Sequence, residues 1–116
     1  MTSSTPPPFL LGREQAERLL RYMQDFRRSV LTSMPPTHER NTMLRLVQAL
    51  QGRLLAQIDL GQAQIRLVLD TEEVSALIAM TKSLLVLSEE KPDTVDRAKT
   101  ITDLGTLYAY LKRIYG

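Results

Sequence analysis

The chain has 116 residues, no Cys, a hydrophobic fraction of 43% and a formal net charge of +2. That length suits one ordinary domain that folds without a metal or cross-link, and the missing cysteine excludes disulfide scaffolds, thiolate zinc sites and thiol catalysis. With no Trp and with Phe9 and Phe26 as its only phenylalanines, the chain must fill its core mainly with Leu, Ile, Val, Met and Ala, which suits helices better than sheets.

The first eleven residues carry Ser3, Ser4 and Thr5 followed by Pro6, Pro7 and Pro8. Proline cannot continue a helix, so residues 1–11 are predicted to be a flexible arm ahead of a single helical domain over residues 12–116. Phe9, Leu10 and Leu11 end that arm as a hydrophobic clasp onto the domain, or as a partner contact.

From Arg13 to Ser33, Leu19, Leu20, Met23, Phe26, Val30 and Leu31 recur at three- and four-residue steps, which predicts a helix with one apolar face. Met34-Pro35-Pro36 ends it, and Pro36 can begin the next helix. That second helix is predicted from Pro36 to Asp59, burying Met43, Leu44, Val47, Leu50, Leu54, Leu55 and Ile58. Residues 60–69 admit two readings. The helix continues through Gly61, at a cost of about 1 kcal/mol relative to Ala, or it breaks there. In the second reading, residues 64–69 form a short strand with Ile65, Leu67 and Leu69 on one face. The break is favoured. A lone strand needs a partner, most economically its own copy across a dimer axis.

Asp70-Thr71-Glu72-Glu73 is the clearest helix start in the chain, an acidic cap with a glutamate at the third helical position. The third helix runs on to about Ser88. Its many apolar residues predict a central position, packed on more than one side. Glu89-Glu90-Lys91-Pro92 breaks it, and Asp93 is the expected cap of a last helix whose stripe is Val95, Ala98, Ile101, Gly105, Tyr108, Leu111 and Tyr115, widened by Leu104, Leu107 and Ile114. Gly105 there points to a close helix crossing. The expected fold is therefore an all-α, four-helix bundle-like domain, with one short strand at about 64–69 pairing across a dimer.

Chemistry is sparse. His38 is the only histidine, next to a helix start where the dipole disfavours its charged form, and Glu39 beside it points about 100° away on a helix, too far round to chelate. No calcium loop, phosphate-binding glycine loop or nucleophile elbow is present. The expectation is a protein that is not an enzyme and has no cofactor and no metal site.

Charge is unevenly spread. Residues 1–66 hold nine Arg and no Lys against five acids, whereas residues 67–116 hold six bases against eight acids. The two halves attract one another within one chain or between copies. Arg18, Arg21 and Arg28 on the first helix are candidate contacts for an anionic partner. Glu14, Glu17 and Asp25 interrupt them and no aromatic platform accompanies them, so nucleic acid is the alternative and not the leading reading. Tyr110, off the face shared by Tyr108 and Tyr115, is a candidate interface residue together with Ile65, Leu67 and Leu69.

No run approaches the roughly 20 apolar residues of a membrane-spanning helix, and the start lacks a secretory pattern, so a cytoplasmic protein is expected. The functional expectation is a protein–protein interaction or assembly module acting as a homo-oligomer. A small enzyme or ligand carrier is the remote alternative, distinguished by a polar pocket with convergent titratable groups.

Overall fold

A computed structural model of the chain describes residues 7–90 and 94–115. Four helices and one two-stranded antiparallel sheet are found among them: β1 (Phe9–Gly12), α1 (Arg13–Ser33), α2 (His38–Asp59), β2 (Gln64–Leu67), α3 (Thr71–Glu89) and α4 (Val95–Tyr115). The class is all-α, as the periodicity predicts. The chain divides into one compact unit ending at Glu73 and another beginning at Val74.

In the first unit, α1 occupies the predicted span and buries Ala16, Leu19, Met23, Phe26 and Val30. These positions keep to three- and four-residue steps, so they form one stripe, and α1 packs along α2 by that means. Leu31 is 55% exposed and lies off the stripe. Met34 ends α1 in an extended conformation, and its N–H donates to the Val30 carbonyl. Pro36 does not begin α2. Thr37 caps that helix instead, its Oγ1 accepting from the Arg40 N–H at 3.1 Å, which places Pro36 outside the helix. Val47, Leu50, Leu54 and Ile58 are the buried stripe of α2, while Leu55 faces outward.

The helix stops as the favoured reading requires. Leu60 is its C-cap, and Gly61 takes a φ of 74°, a left-handed conformation that costs glycine nothing and most other residues about 1 kcal/mol or more. The chain then turns into β2. Its burial alternates strictly, with Ile65, Leu67 and the following Leu69 buried and Gln64, Arg66 and Val68 exposed. The strand exists, but its partner is not a second copy. It pairs with β1 of the same chain in the register Phe9↔Leu67, Leu10↔Arg66, Leu11↔Ile65 and Gly12↔Gln64.

Residues 9–11 therefore end the predicted arm as a strand. Ser3, Ser4, Thr5 and Pro6 lie outside the described residues. Phe9 is fully buried and Leu11 nearly so, which realises the clasp. Its physical cause is the unpaired backbone of β2: an extended segment with a matching apolar alternation satisfies it within the chain and avoids the entropy of association.

Between β2 and α3 the expected cap forms in both directions. The Glu73 N–H donates to Asp70 Oδ1 at 2.8 Å, and the Asp70 N–H donates to Glu73 Oε1 at 3.0 Å. The other carboxylate oxygen of Glu73 pairs with Arg53 of α2 at 2.6 Å. Glu73→Ala should remove the reciprocal bond and the ion pair together and destabilise the chain by about 1–2 kcal/mol. Urea unfolding checks this, and Glu72→Ala, at an exposed position, is the control with a much smaller effect.

The second unit holds α3 from Val74 onward and α4. On α3 the buried residues Val74, Ala76, Leu77, Met80, Thr81, Leu84 and Ser88 occupy one broad arc. Ser75, Lys82, Ser83 and Val86 occupy the other. The helix is thus buried on one side and not all round, contrary to the expectation from its apolar content. Thr81 fits the buried arc because its hydroxyl donates to the Leu77 carbonyl at 2.7 Å.

The C-terminal carbonyls of α3 are met by Arg97, whose Nε donates to Ser88 O at 3.0 Å and whose Nη2 donates to Glu89 O at 3.2 Å. The expected break at Lys91-Pro92 and the expected cap Asp93 lie outside the described residues. Thr94 caps α4, its Oγ1 accepting from the Arg97 N–H. Of the predicted α4 stripe, Leu111 is buried, as is its neighbour Leu104, whereas Val95 is 72% exposed.

Gly105 marks no close crossing, since a Cβ built there meets nothing within 4 Å, and the same holds for Gly52 on α2. Each glycine pays backbone entropy in a helix without gaining a close approach. Gly52→Ala and Gly105→Ala are each expected to stabilise the chain by about 0.5–1 kcal/mol, read as a higher urea midpoint.

Candidate functional site

Of the sequence-derived candidates, Arg18, Arg21, Arg28, Ile65, Leu67 and Leu69 belong to the first unit and Tyr110 to the second. Ile65, Leu67 and Leu69 are 0%, 1% and 2% exposed. Their side chains are covered within the folded chain. What β2 and its continuation present outward is Gln64, Arg66 and Val68. This follows from the pleat, which sends successive side chains to opposite faces.

The outward face of the sheet is the most distinct feature of the first unit. Leu10 stands directly opposite Arg66 in the register, and Val68 lies two residues beyond Arg66, just past the end of β2. Leu10 is 40% exposed and Val68 is 55% exposed. Cross-strand neighbours of this kind lie about 5–8 Å apart, so the two apolar side chains and the aliphatic stem of Arg66 are placed to form one patch. The sequence signal for Leu10 was its place in Phe9-Leu10-Leu11. Its pairing with Arg66 required the register.

On α1, Arg21 and Arg28 are exposed and Arg18 is half-buried. Arg18 and Arg21 line an open surface depression together with Leu20, Glu14 and Glu17. Each arginine has a glutamate four residues before it, the order in which such helix pairs are favourable. The acids reduce the local positive potential that a phosphate would need. Arg27, also on α1, is directed inward to the α2 side chain Gln51, donating from Nη1 to Oε1 at 2.9 Å.

In the second unit Tyr110 is half-buried, and the Arg113 guanidinium lies 5.6 Å from its ring centroid, within cation–π range. Burial, with Tyr110 nearby as the lesser cause, holds the Tyr115 phenol above the usual tyrosine range.

His38 is exposed at the first residue of α2. Among the described residues, no group of three or more His, Cys, Asp or Glu side chains is placed to hold a metal ion. No helix is long and apolar enough to cross a membrane. Comparison with protein-family models, curated proteins and solved structures finds no match to this chain.

Proposed function

We propose that the chain is a cytoplasmic, non-catalytic protein-interaction module that assembles with itself. The observation that carries this reading is the outward sheet face, where Leu10 and Val68 flank Arg66 on a surface the first unit leaves exposed. Covering apolar surface contributes roughly 25 cal/mol per Å², and a contiguous patch marks a contact surface better than scattered exposed residues do. Self-complementary contact of one such patch with its copy is the commonest symmetric arrangement.

Light scattering and sedimentation at tens of micromolar test the reading. A dimer or higher species is expected, and Leu10→Lys with Val68→Lys should return it to monomer. A wild-type chain that stays strictly monomeric overturns the proposal.

Nucleic-acid association through the arginines of α1 is the alternative. Its support is the exposure of Arg21 and Arg28; the interleaved Glu14, Glu17 and Asp25 weaken it. Salt-sensitive binding of DNA or RNA that is lost in Arg21→Glu with Arg28→Glu would favour it over assembly. Binding that ignores both changes, or no binding, removes it.

A further inference from the structure

We propose that α2 shuts the hydrogen-bonding edge of β2 with side chains, so that a strand from a second copy cannot add to that edge while Gln57 stays in place. This goes beyond the assembly reading, because it concerns the edge of the sheet and not its face.

The Gln57 carboxamide makes two bonds to one peptide. Its Nε2 donates to Arg66 O at 2.7 Å, and its Oε1 accepts from the Arg66 N–H at 3.0 Å. A carboxamide offers the same donor and acceptor as a peptide group, so Gln57 supplies what a residue of a neighbouring strand would supply. In an antiparallel ladder the N–H and C=O of one residue point to the same side, and that side alternates along the strand. The Arg66 groups, engaged by α2, therefore face away from β1. Ile65 and Leu67 are the residues that direct their N–H and C=O toward β1, opposite Leu11 and Phe9.

The next outward group along the strand is treated alike. The Val68 carbonyl accepts from Arg53 Nη2 at 2.5 Å, while Nη1 of the same guanidinium is held by Glu73. Arg53 and Gln57 are one helical turn apart, about 6 Å along the axis. Arg66 and Val68 are two strand residues apart, about 6.6 Å. The near match lets one face of α2 serve alternate peptides of β2 in succession.

The outer edge of β1, to which Leu10 directs its N–H and C=O by the same alternation, is blunted only on either side of that residue. Pro8 has no N–H to donate, and the Gly12 N–H is taken by Gln15 Oε1 at 2.9 Å. Short strands, proline and covering side chains are the devices by which sheets avoid edge-to-edge pairing.

Amide hydrogen exchange on the full chain tests the proposal through Gln57→Met, which keeps the side-chain length and cannot make either bond. The Arg66 amide is expected to exchange at least about ten-fold faster relative to the Ile65 and Leu67 amides of the same sample. The sedimentation mass at high concentration is expected to rise above that of the wild type. Ile65 and Leu67 serve as internal references, since general destabilisation moves all three amides together and leaves their ratio unchanged. Gln57→Ala is the second variant if Gln57→Met perturbs packing, with the same expectation. An unchanged ratio in both variants overturns the proposal, as does faster Arg66 exchange with no gain in mass. Neither outcome bears on the wild-type oligomer test above, so the two readings fail separately.

Discussion

Phe9→Ala is expected to destabilise the chain by about 3–5 kcal/mol. Phe9 lies directly after three prolines, which form no helix to hold it, a setting where a substitution would ordinarily cost a few tenths of a kcal/mol. Its ring is nevertheless fully buried. It sits opposite Leu67 on the inward face of the β1–β2 sheet, and both α1 and α2 pack against β2. Removing the ring takes away its transfer free energy and leaves a cavity that a two-stranded sheet anchored on both sides cannot fully close. Leu10→Ala is the matched control, one residue on and pointing outward, with an expected loss below about 1 kcal/mol. Urea unfolding of the two variants decides the matter: equal, small losses would return residues 9–11 to the status of a loose arm.

Ile65→Ala should cost about 2–5 kcal/mol, while Arg66→Ala next to it should cost well under 1 kcal/mol from the side chain. Ile65 is fully buried opposite Leu11, whereas the Arg66 side chain is exposed and its backbone bonds to Gln57 survive the substitution. The contrast separates two roles for the same short segment. Had Ile65 been a partner-binding side chain on the monomer surface, its truncation would weaken association and spare the fold. As a core residue it lowers the unfolding midpoint at every protein concentration, and a loss of stability that appears only when the protein is diluted would contradict the buried placement.

Several elements were legible because their signals are local. The span of α1 follows from apolar steps of three and four and from the Met34-Pro35-Pro36 stop, and the start of α3 follows from Asp70 and Glu73, whose reciprocal bonds form within four residues. The end of α2 at Gly61 and the alternation of Ile65, Leu67 and Leu69 were readable for the same reason. Other expectations failed where the deciding interaction is distant. Leu31 and Leu55 have the right residue type for a buried stripe and lie outside it, because the width of a stripe depends on what packs against it. Gly105 has the spacing of a helix crossing and meets open space.

The candidate site was less legible than the fold. Arg18, Arg21 and Arg28 on α1 of the first unit and Tyr110 on α4 of the second were found by residue type alone. The patch of Leu10, Arg66 and Val68 depends on pairing between segments more than fifty residues apart, and Gln57, a polar residue on a helix with many of them, gave no signal of its own.

Sequence alone determined which segments are helical, the span of α1, the start of α3 and which side of the short strand is apolar, since each of these is settled by neighbours within a turn or a pleat. Only the tertiary structure decided that β2 takes β1 as its partner and α2 as its edge cover. An unpaired peptide group can be satisfied by any donor or acceptor the fold brings within reach, and which one arrives first in space is not written in the spacing of residues along the chain.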